Sequence, residues 1–310
     1  MESVLTDPVL QFRPDTVRAV RAMYGLDGPG RMEEAVDQLQ DWARKQPHFK
    51  KKEFNRLFLE NTILSSKGSL ERARLRLEKY CTMRTTLPKF FEKCDVRNEM
   101  TEVLSTFYLA VMPRMTADFC RIIFVKLHKS LKASTLIELY QYYVSQVEYL
   151  KAHDYSNGVI AVVDQRGMNI LDVVVKLNPF ELSQGFKLFM NGYGLRIRGI
   201  HLLTESRLIG VLVTVVKKLV SAKVGSRIQV HKNLDSLHEA VPNEYLPAEL
   251  GGMEKSLVKL HDEWVETLSR PEHVKYMRIM KKVGVDDSKR TDKQTSEHTA
   301  TQHIDVLSID

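Results

Sequence analysis

The residues most able to do chemistry in this sequence are basic, and they are concentrated between positions 196 and 232. The window contains eight lysines or arginines and a single acidic residue, so its net charge of +7 equals that of the whole 310-residue chain. Guanidinium and ammonium groups bind phosphate and carboxylate oxygens. The pattern therefore predicts an anionic surface as the partner of this window. The basic residues are Arg196, Arg198, Arg207, Lys217, Lys218, Lys223, Arg227 and Lys232, and the acidic residue is Glu205.

An apolar run, residues 208–216, lies inside this basic window. The run is much shorter than the roughly 20 apolar residues that a helix needs to cross a bilayer, so it is not a transmembrane anchor. A short apolar helix beside Lys217, Lys218 and Lys223 can instead lie in the headgroup region, with its lysines on anionic lipid. The alternative is an ordinary core helix whose lysines complement the helix dipole.

The sequence lacks the common motifs of metal binding and covalent catalysis. Cys81, Cys94 and Cys120 have no CxxC spacing, which predicts reduced thiols rather than disulfides or a zinc site. The ten histidines include no HExxH pair, and the chain has neither a GxSxG nor a GxxxxGK[ST] motif. We therefore expect no metal, no cofactor and no catalytic site, with an α/β enzyme as the alternative.

Charge and the N-terminal sequence bear on partners and location. The pI of about 9.1 would suit a nucleic-acid-binding protein. However, the basic residues alternate with aliphatic rather than aromatic side chains, so we expect no nucleic-acid partner. The N-terminal residues are polar and show no signal peptide, so we expect a cytoplasmic protein.

Helical periodicity dominates the first third of the chain. It predicts a small helical bundle that ends at Pro88, followed by a linker at residues 89–100. In the last helix of this bundle, Ser69 has the character of an N-cap, and Leu75, Tyr80 and Met83 are predicted to lie on one apolar stripe.

From about residue 121, segments typical of strands alternate with segments typical of helices. This order predicts an α/β sheet with crossover helices. An amphipathic helix is expected at about 254–268, and the polar tail at 286–303 is expected to be mobile because it has too little apolar area to offset its ordering entropy. The predicted strands are 121–127, 158–164, 195–204 and 227–232, and the predicted helices between them are 134–155, 179–191 and 208–216.

Several motifs occur along this region in a specific order. They are GVIAVVDQRGM at 158–168, LRIRGIHLLTES at 195–206 and RIQVHKNLDSLHEAVPNEYLPAELGG at 227–252. Together, over about residues 113–268, they resemble the CRAL-TRIO lipid-binding domain family, in particular its tocopherol and retinaldehyde carriers. The preceding helices, including SLERARLRLEKYCTMRTTLPKFF, resemble the N-terminal extension of the family's insect members.

The resemblance implies an α/β lipid-binding fold, with a sheet as floor, helices as walls and a lid helix at about 207–219, preceded by an all-helical domain. It also implies a small hydrophobic ligand, such as a retinoid, a tocopherol, a carotenoid or a similar lipid, that is transferred between membranes. The implied segments are an N-terminal helical domain at 1–95, a lipid-binding domain at 96–270 and a largely flexible C-terminal extension at 271–310.

Granted that fold, a set of apolar and hydroxyl side chains is predicted to line the ligand cavity. Tyr142 or Ser145 could hydrogen-bond a hydroxyl or an aldehyde on the ligand. A regular strand would place Ile197 towards the cavity and Arg198 and Ile200 away from it. Ordinary core packing is the alternative for every member. The set is Tyr142, Ser145, Val159, Val163, Leu177, Phe186, Phe189, Leu195, Ile197, Leu208, Val211, Leu212 and Val215.

The resemblance further implies a phosphoinositide site beside the lid, and thus reversible, peripheral association with anionic membranes. The chain departs from the family at FLENTILSSKG, residues 58–68, where a basic residue of the family's FLRAR segment is absent. General attraction to acidic membranes is therefore one alternative, and a phosphoinositide-dependent adaptor without transport is another. The predicted site residues are Arg196, Arg198, Lys217, Lys223 and Arg227.

Overall fold

Helices come first in the computed structural model of the chain, which describes residues 6–290. The last long helix of this N-terminal bundle begins where the sequence predicts, because the Ser69 side chain accepts a hydrogen bond from the backbone N–H of Arg72. The helices are α1 (Thr16–Ala22), α2 (Arg31–Arg44), α3 (Arg56–Ser65), α4 (Leu70–Thr86), α5 (Val96–Glu99) and α6 (Thr101–Thr106).

The buried face of α4 differs from the predicted stripe. Ala73, Leu77 and Tyr80 are buried in the core of the bundle, whereas Leu75 is 50% exposed. Positions 73, 77 and 80 follow the spacing of one helix face, and position 75 falls on the opposite side. The placement of Leu75 on the buried stripe was therefore wrong.

The predicted linker at residues 89–100 is also wrong, because this segment is folded. It contains most of a 3-10 turn, Pro88–Phe91, and all of helix α5. Phe90, Phe91 and Val96 are buried, and burial of such side chains stabilises ordered packing by roughly 1.5–3 kcal/mol each. The apolar side chains thus attach the segment to the core.

A five-stranded mixed sheet follows, with the strands in sequence order. The strands are β1 (Phe107–Val111), β2 (Cys120–Leu127), β3 (Gly158–Asp164), β4 (Ile197–Leu203) and β5 (Ile228–His231). β1 pairs antiparallel with β2, and β2 to β5 run parallel, so each parallel pair needs a crossover connection. The predicted α/β class is confirmed, although β1 was not predicted because no turn signal separates it from α6.

Helices connect the strands and continue after the sheet. The helices are α7 (Ala133–His153), α8 (Ile170–Lys176), α9 (Pro179–Lys187), α10 (Ile209–Lys217), α11 (Ala222–Gly225), α12 (Leu234–Ala240), α13 (Leu257–Leu268) and α14 (Pro271–Met280). α9 runs on into a π-helical turn, Leu188–Gly192, and α13 packs on β1, where Trp264 Nε1 donates to the carbonyl of Val111 at 2.9 Å.

The C-terminal segment is more ordered than the predicted flexible extension at 271–310. Residues 271–280 form α14, and Val283 and Val285 are buried against the N-terminal bundle. Arg290 Nη1 lies 2.7 Å from a carboxylate oxygen of Glu78. The prediction of a flexible extension was therefore wrong for residues 271–290. The rest of the extension lies outside the described residues.

A buried carboxylate, Glu148 on α7, joins three parts of the chain. It accepts hydrogen bonds from the hydroxyls of Tyr80 on α4, Tyr193 after the π-helical turn and Tyr276 on α14, at 2.6, 2.7 and 3.0 Å, and pairs with Arg84. Burial raises the pKa of all three phenols well above the ordinary value, so they stay protonated and donate. These contacts cross the predicted boundaries at 95 and 270, which stay predictions.

Candidate functional site

A cavity of 370 Å³ lies against one face of the sheet. Strands β2 to β5 form its floor, α7, α8, α9 and the π-helical turn form its walls, and α10 covers it. Side chains alternate along β2 and β3, so one set faces the cavity while the other packs into the core with Trp264. The floor side chains are Ile123, Val125, Leu127, Val159, Ala161, Val163, Ile197, Ile200, Leu202 and Ile228.

The cavity floor contains a β-bulge that the sequence analysis did not anticipate. Val159 pairs with Ile197, but the next residue of β3 pairs with Gly199, so Arg198 is left without a register partner. The extra residue shifts the alternation of β4 by one. As a result Ile200 lines the cavity together with Ile197, and the prediction that it faces away was wrong.

Most of the predicted ligand-binding residues lie along this cavity. Those on β3, at the start of β4 and just before it, and on the walls contribute to its lining, as does one residue of α10. Their contact with a ligand stays a prediction. They are Val159, Val163, Leu177, Phe186, Phe189, Leu195, Ile197 and Leu212.

The two predicted hydroxyl residues of α7 do not line the cavity, so their placement there was wrong. Tyr142 is buried in the core, with its hydroxyl 3.5 Å from the carbonyl oxygen of Leu109. Ser145 Oγ is buried and lies 3.0 Å from His273 Nε2. Positions 142 and 145 are three residues apart and share the core-facing side of α7.

The opposite side of α7 lines the cavity instead. Tyr140 and Tyr143 are exposed to the cavity together with Leu136 and Val147, at spacings of three or four residues. Burial raises the pKa of both phenols, so the hydroxyls are neutral. The helical period of these four positions was the signal that could have identified this face.

Of the four lid residues predicted to line the cavity, only Leu212 does so. Leu212, Val213 and Val216 face inward, whereas Leu208 and Val211 are 46% and 42% exposed. The predicted inward positions of Leu208, Val211 and Val215 were therefore wrong, because the inward face of α10 lies about one residue further along the chain.

A basic cleft of 240 Å³ lies beside the cavity, between β4, α11 and the N-terminal bundle. Met190, Leu195 and Ile197 line both spaces. The lining described for the cleft contains no acidic residue. Its basic residues are Lys67, Arg72 and Arg76 from the N-terminal bundle and Arg196, Arg198, Lys223 and Arg227 from the predicted site; Lys217 lies outside.

The arginines of this cleft are held by neutral oxygens. Arg76 donates to the carbonyl of Met190 at 3.0 Å, and Arg196 and Arg198 each donate to the side-chain oxygen of Asn157 at 3.1 Å. Arg227 donates to the carbonyl of Ile197. Within residues 6–290 no carboxylate forms an ion pair with these four side chains. Their charge is therefore available to an anion in the cleft.

Arg76 is the most constrained of the cleft residues. Burial, and then the nearby positive charge of Arg196, lower the pKa of Arg76 to about 10. Gly194 has φ 73° and gives Arg76 room, since a Cβ there would lie 2.5 Å from the arginine Nη1. Sequence analysis missed Lys67, Arg72 and Arg76 because only the fold brings them to β4.

A small pocket of 50 Å³ lies between the cavity and the cleft, and Lys151 of α7 lines it. The lysine is 7% exposed, its Nζ has no hydrogen-bond partner within the described residues, and it lies 5.2 Å from the centre of the Phe58 ring. Burial, and then the positive charge of Arg76, lower the pKa of Lys151 to about 7, although Glu148 opposes this.

Replacing Lys151 by methionine is expected to raise the free energy of unfolding near pH 7 by about 4 kcal/mol. The folded pKa lies below the ordinary value of 10.5, so the wild-type chain loses stability when the folded lysine must carry a proton. This destabilisation is fully present below pH 7 and disappears as the pH rises towards 10.5. Calorimetric melting temperatures of both proteins across this range test the expectation. Lys275→Met, at an exposed position of α14, is the control, and a difference that persists at high pH contradicts the assignment.

Within residues 6–290, no helix combines the length and apolarity needed to cross a membrane. No group of three or more histidine, cysteine, aspartate or glutamate side chains in the same range is arranged to hold a metal ion.

Comparisons with known proteins divide the chain in two. Residues 29–101 match the family model described as "Pinta-like, UBA domain", and residues 108–252 match the one described as "CRAL/TRIO domain". Over 221 residues the chain is 23% identical to "Alpha-tocopherol transfer protein-like" of Mus musculus and of Homo sapiens, covering 70% of this chain and 64% of each relative. The match therefore spans less than two thirds of the length of these relatives.

Shorter or more distant matches were also found. "Clavesin-2" of Rattus norvegicus is 32% identical over 98 residues, 31% of this chain and 30% of that protein. Among solved structures, "Crystal structure of Sfh5" aligns with a TM-score of 0.45 and 12% identity, over 87% of this chain and 98% of that chain.

Proposed function

Because residues 108–252 are a CRAL/TRIO domain, we propose that this protein binds one small hydrophobic molecule and transfers it between membranes. The observation that carries the proposal is the 370 Å³ cavity lined by β2 to β5, α7 to α9 and α10. Binding sites for small molecules have volumes of roughly 300–1,000 Å³ and are mainly apolar. The proposal includes no catalytic step and places the protein in the cytoplasm.

The lining favours a neutral ligand. Its side chains are aliphatic or aromatic apart from Gln165 and the hydroxyls of Tyr140 and Tyr143, and it contains no Lys, Arg, Asp or Glu. A charged headgroup in this space would lose its hydration without gaining a partner. A retinoid, a tocopherol or a similar single lipophile therefore fits better than a fatty acid or a whole phospholipid.

Helix α10 suits the role of a lid. Uncovering Leu212, Val213 and Val216 would cost roughly 1.5–3 kcal/mol for each fully exposed side chain. Contact with acyl chains would restore much of that burial, because lipid chains are as apolar as the cavity. Leu208 and Val211 are already exposed on the outer face, and so are Val175 on α8 and Phe180 on α9. We infer that this apolar rim contacts the membrane when the lid opens.

The basic cleft would hold the protein on an anionic bilayer. Each basic residue near such a surface contributes about 1 kcal/mol, so several give reversible association rather than permanent attachment. Seven basic side chains line this one cleft, and hydrogen bonds orient Arg76, Arg196 and Arg198, which favours a phosphate-bearing headgroup, such as a phosphoinositide, over diffuse attraction.

A vesicle-to-vesicle transfer assay tests this proposal. The wild-type protein is expected to move a fluorescent polyene alcohol, parinaryl alcohol, from donor to acceptor vesicles that contain anionic lipid. The double variant Leu208→Ser and Val211→Ser should bind the probe normally but transfer it about tenfold more slowly, since it removes apolar area from the membrane-facing rim.

Met253→Ser provides the control, because Met253 is 69% exposed but lies outside α8, α9 and α10. Its transfer rate should match that of the wild type. Normal transfer by the Leu208 and Val211 double variant would contradict the role of the rim. A wild-type protein that binds the probe but never transfers it would contradict the carrier function and favour an adaptor.

A further inference from the structure

One side chain in the cavity has an unused hydrogen-bonding group. Gln165 directly follows β3, and its backbone N–H donates to the carbonyl of Leu203 at 2.8 Å, which fixes the residue at the end of the floor. The residue is 6% exposed, lines the cavity, and its Oε1 has no hydrogen-bond partner within the described residues. A buried amide in this state has lost its hydration without compensation.

The neighbouring polar groups do not compensate Gln165, because they are paired with each other. Asp164 accepts from Arg166 at 2.9 and 3.0 Å and lies 3.2 Å from Lys126 Nζ. Alternation along the strand directs Asp164 to the other side of the sheet. The carboxamide of Gln165 is therefore left facing an apolar space.

The remaining polar atoms of the lining are the hydroxyls of Tyr140 and Tyr143. Each phenol can rotate its single proton and lies partway along α7 rather than at the end of the floor. The carboxamide differs because it offers a fixed acceptor and two donors. Of the buried side-chain oxygens without a partner, those of Gln141, Gln146 and Gln184 belong to residues outside the cavity lining.

We propose that Gln165 binds the polar end of the ligand and that the ligand is a neutral lipophilic alcohol whose hydroxyl donates to Oε1. This inference rests on the proposed function and adds a ligand class to it. A pure hydrocarbon would leave Oε1 unpaired. A carboxylate would enter the cavity without a cation to pair with, since no Lys or Arg lines it.

The test compares three probes that differ at one end only: parinaryl alcohol, parinaric acid and the matching hydrocarbon. Titrations monitored by polyene fluorescence should show that the wild-type protein binds the alcohol about tenfold more tightly than the hydrocarbon, the size of one net hydrogen bond. The ionised acid should bind no more tightly than the hydrocarbon. In Gln165→Leu the alcohol should lose about tenfold in affinity while the hydrocarbon is unaffected or binds more tightly.

Gln184→Leu is the matched control, because Gln184 also has an unpaired buried oxygen but lies outside the cavity lining. It should keep the wild-type preference. The assignment would be overturned if the wild type bound alcohol and hydrocarbon with equal affinity. It would also be overturned if the preference for the alcohol survived in Gln165→Leu, or if Tyr143→Phe abolished that preference instead. The comparison of alcohol and hydrocarbon binding by the wild type tests the proposal even if Gln165→Leu fails to fold. Failure of all three probes to bind the wild type would reject the proposed function itself.

Discussion

Ala161→Trp is expected to weaken binding of parinaryl alcohol by about 100-fold or more, because the indole would occupy space that the ligand needs. Ala161 lies in the middle of β3, paired with Ile123 of β2 and Ile200 of β4, and all three line the cavity. Overpacking a filled core costs roughly 1–3 kcal/mol, but here the new side chain enters an existing void. The variant should therefore remain folded. Fluorescence of the directly excited polyene during titration measures the affinity, and the melting temperature measures whether the variant remains folded.

Leu75→Trp is the control for this experiment. It adds the same indole to α4 at a position that is 50% exposed and outside the cavity lining. Its affinity for the probe should equal that of the wild type. Normal uptake by a folded Ala161→Trp protein would show that the ligand binds somewhere other than over the sheet.

Neutralising three exposed residues of the basic cleft is expected to reduce binding to phosphoinositide-containing vesicles by about 100-fold, at about 1 kcal/mol for each charge removed. The variant combines Arg72→Gln, Arg198→Gln and Lys223→Gln, which line the cleft from three different parts of the chain. Co-sedimentation with vesicles measures the effect. Uptake of parinaryl alcohol should not change, because none of the three residues lines the cavity.

The matched control removes the same charge from outside the cleft, by Arg207→Gln, Lys217→Gln and Lys218→Gln. These residues are exposed near α10 and do not line the cleft. If the cleft is a specific headgroup site, this control should lose much less vesicle binding than the cleft variant does. If the two variants lose vesicle binding equally, and salt suppresses the binding that remains in both, the attraction to acidic membranes is general instead.

The sequence was informative where local pattern determines structure. The continuous apolar run at 158–164 predicted β3, because buried parallel strands are apolar on both faces. The run at 195–204, which interleaves apolar and basic residues, predicted β4. The apolar run at 208–216 predicted α10 within one residue at each end. The family assignment made from these motifs is confirmed by the match over residues 108–252, whereas the insect-type detail stays a prediction.

The errors arose where several elements must be placed together. The direction of α7, which turns Tyr142 and Ser145 into the core and Tyr143 towards the cavity, depends on its packing against β1 and α14. A bulge at Arg198 depends on pairing with β3 and has no local signature. Arg76 reaches the cleft from a helix more than a hundred residues away in sequence, so no spacing rule relates it to Arg196.

Mass spectrometry of the intact protein under native conditions, after equilibration with a total lipid extract, tests the central claim most directly. The account predicts one bound lipophile per chain, released by organic solvent as a neutral alcohol and absent from Ala161→Trp. A wild-type protein that keeps only the mass of its polypeptide after this exposure would contradict it.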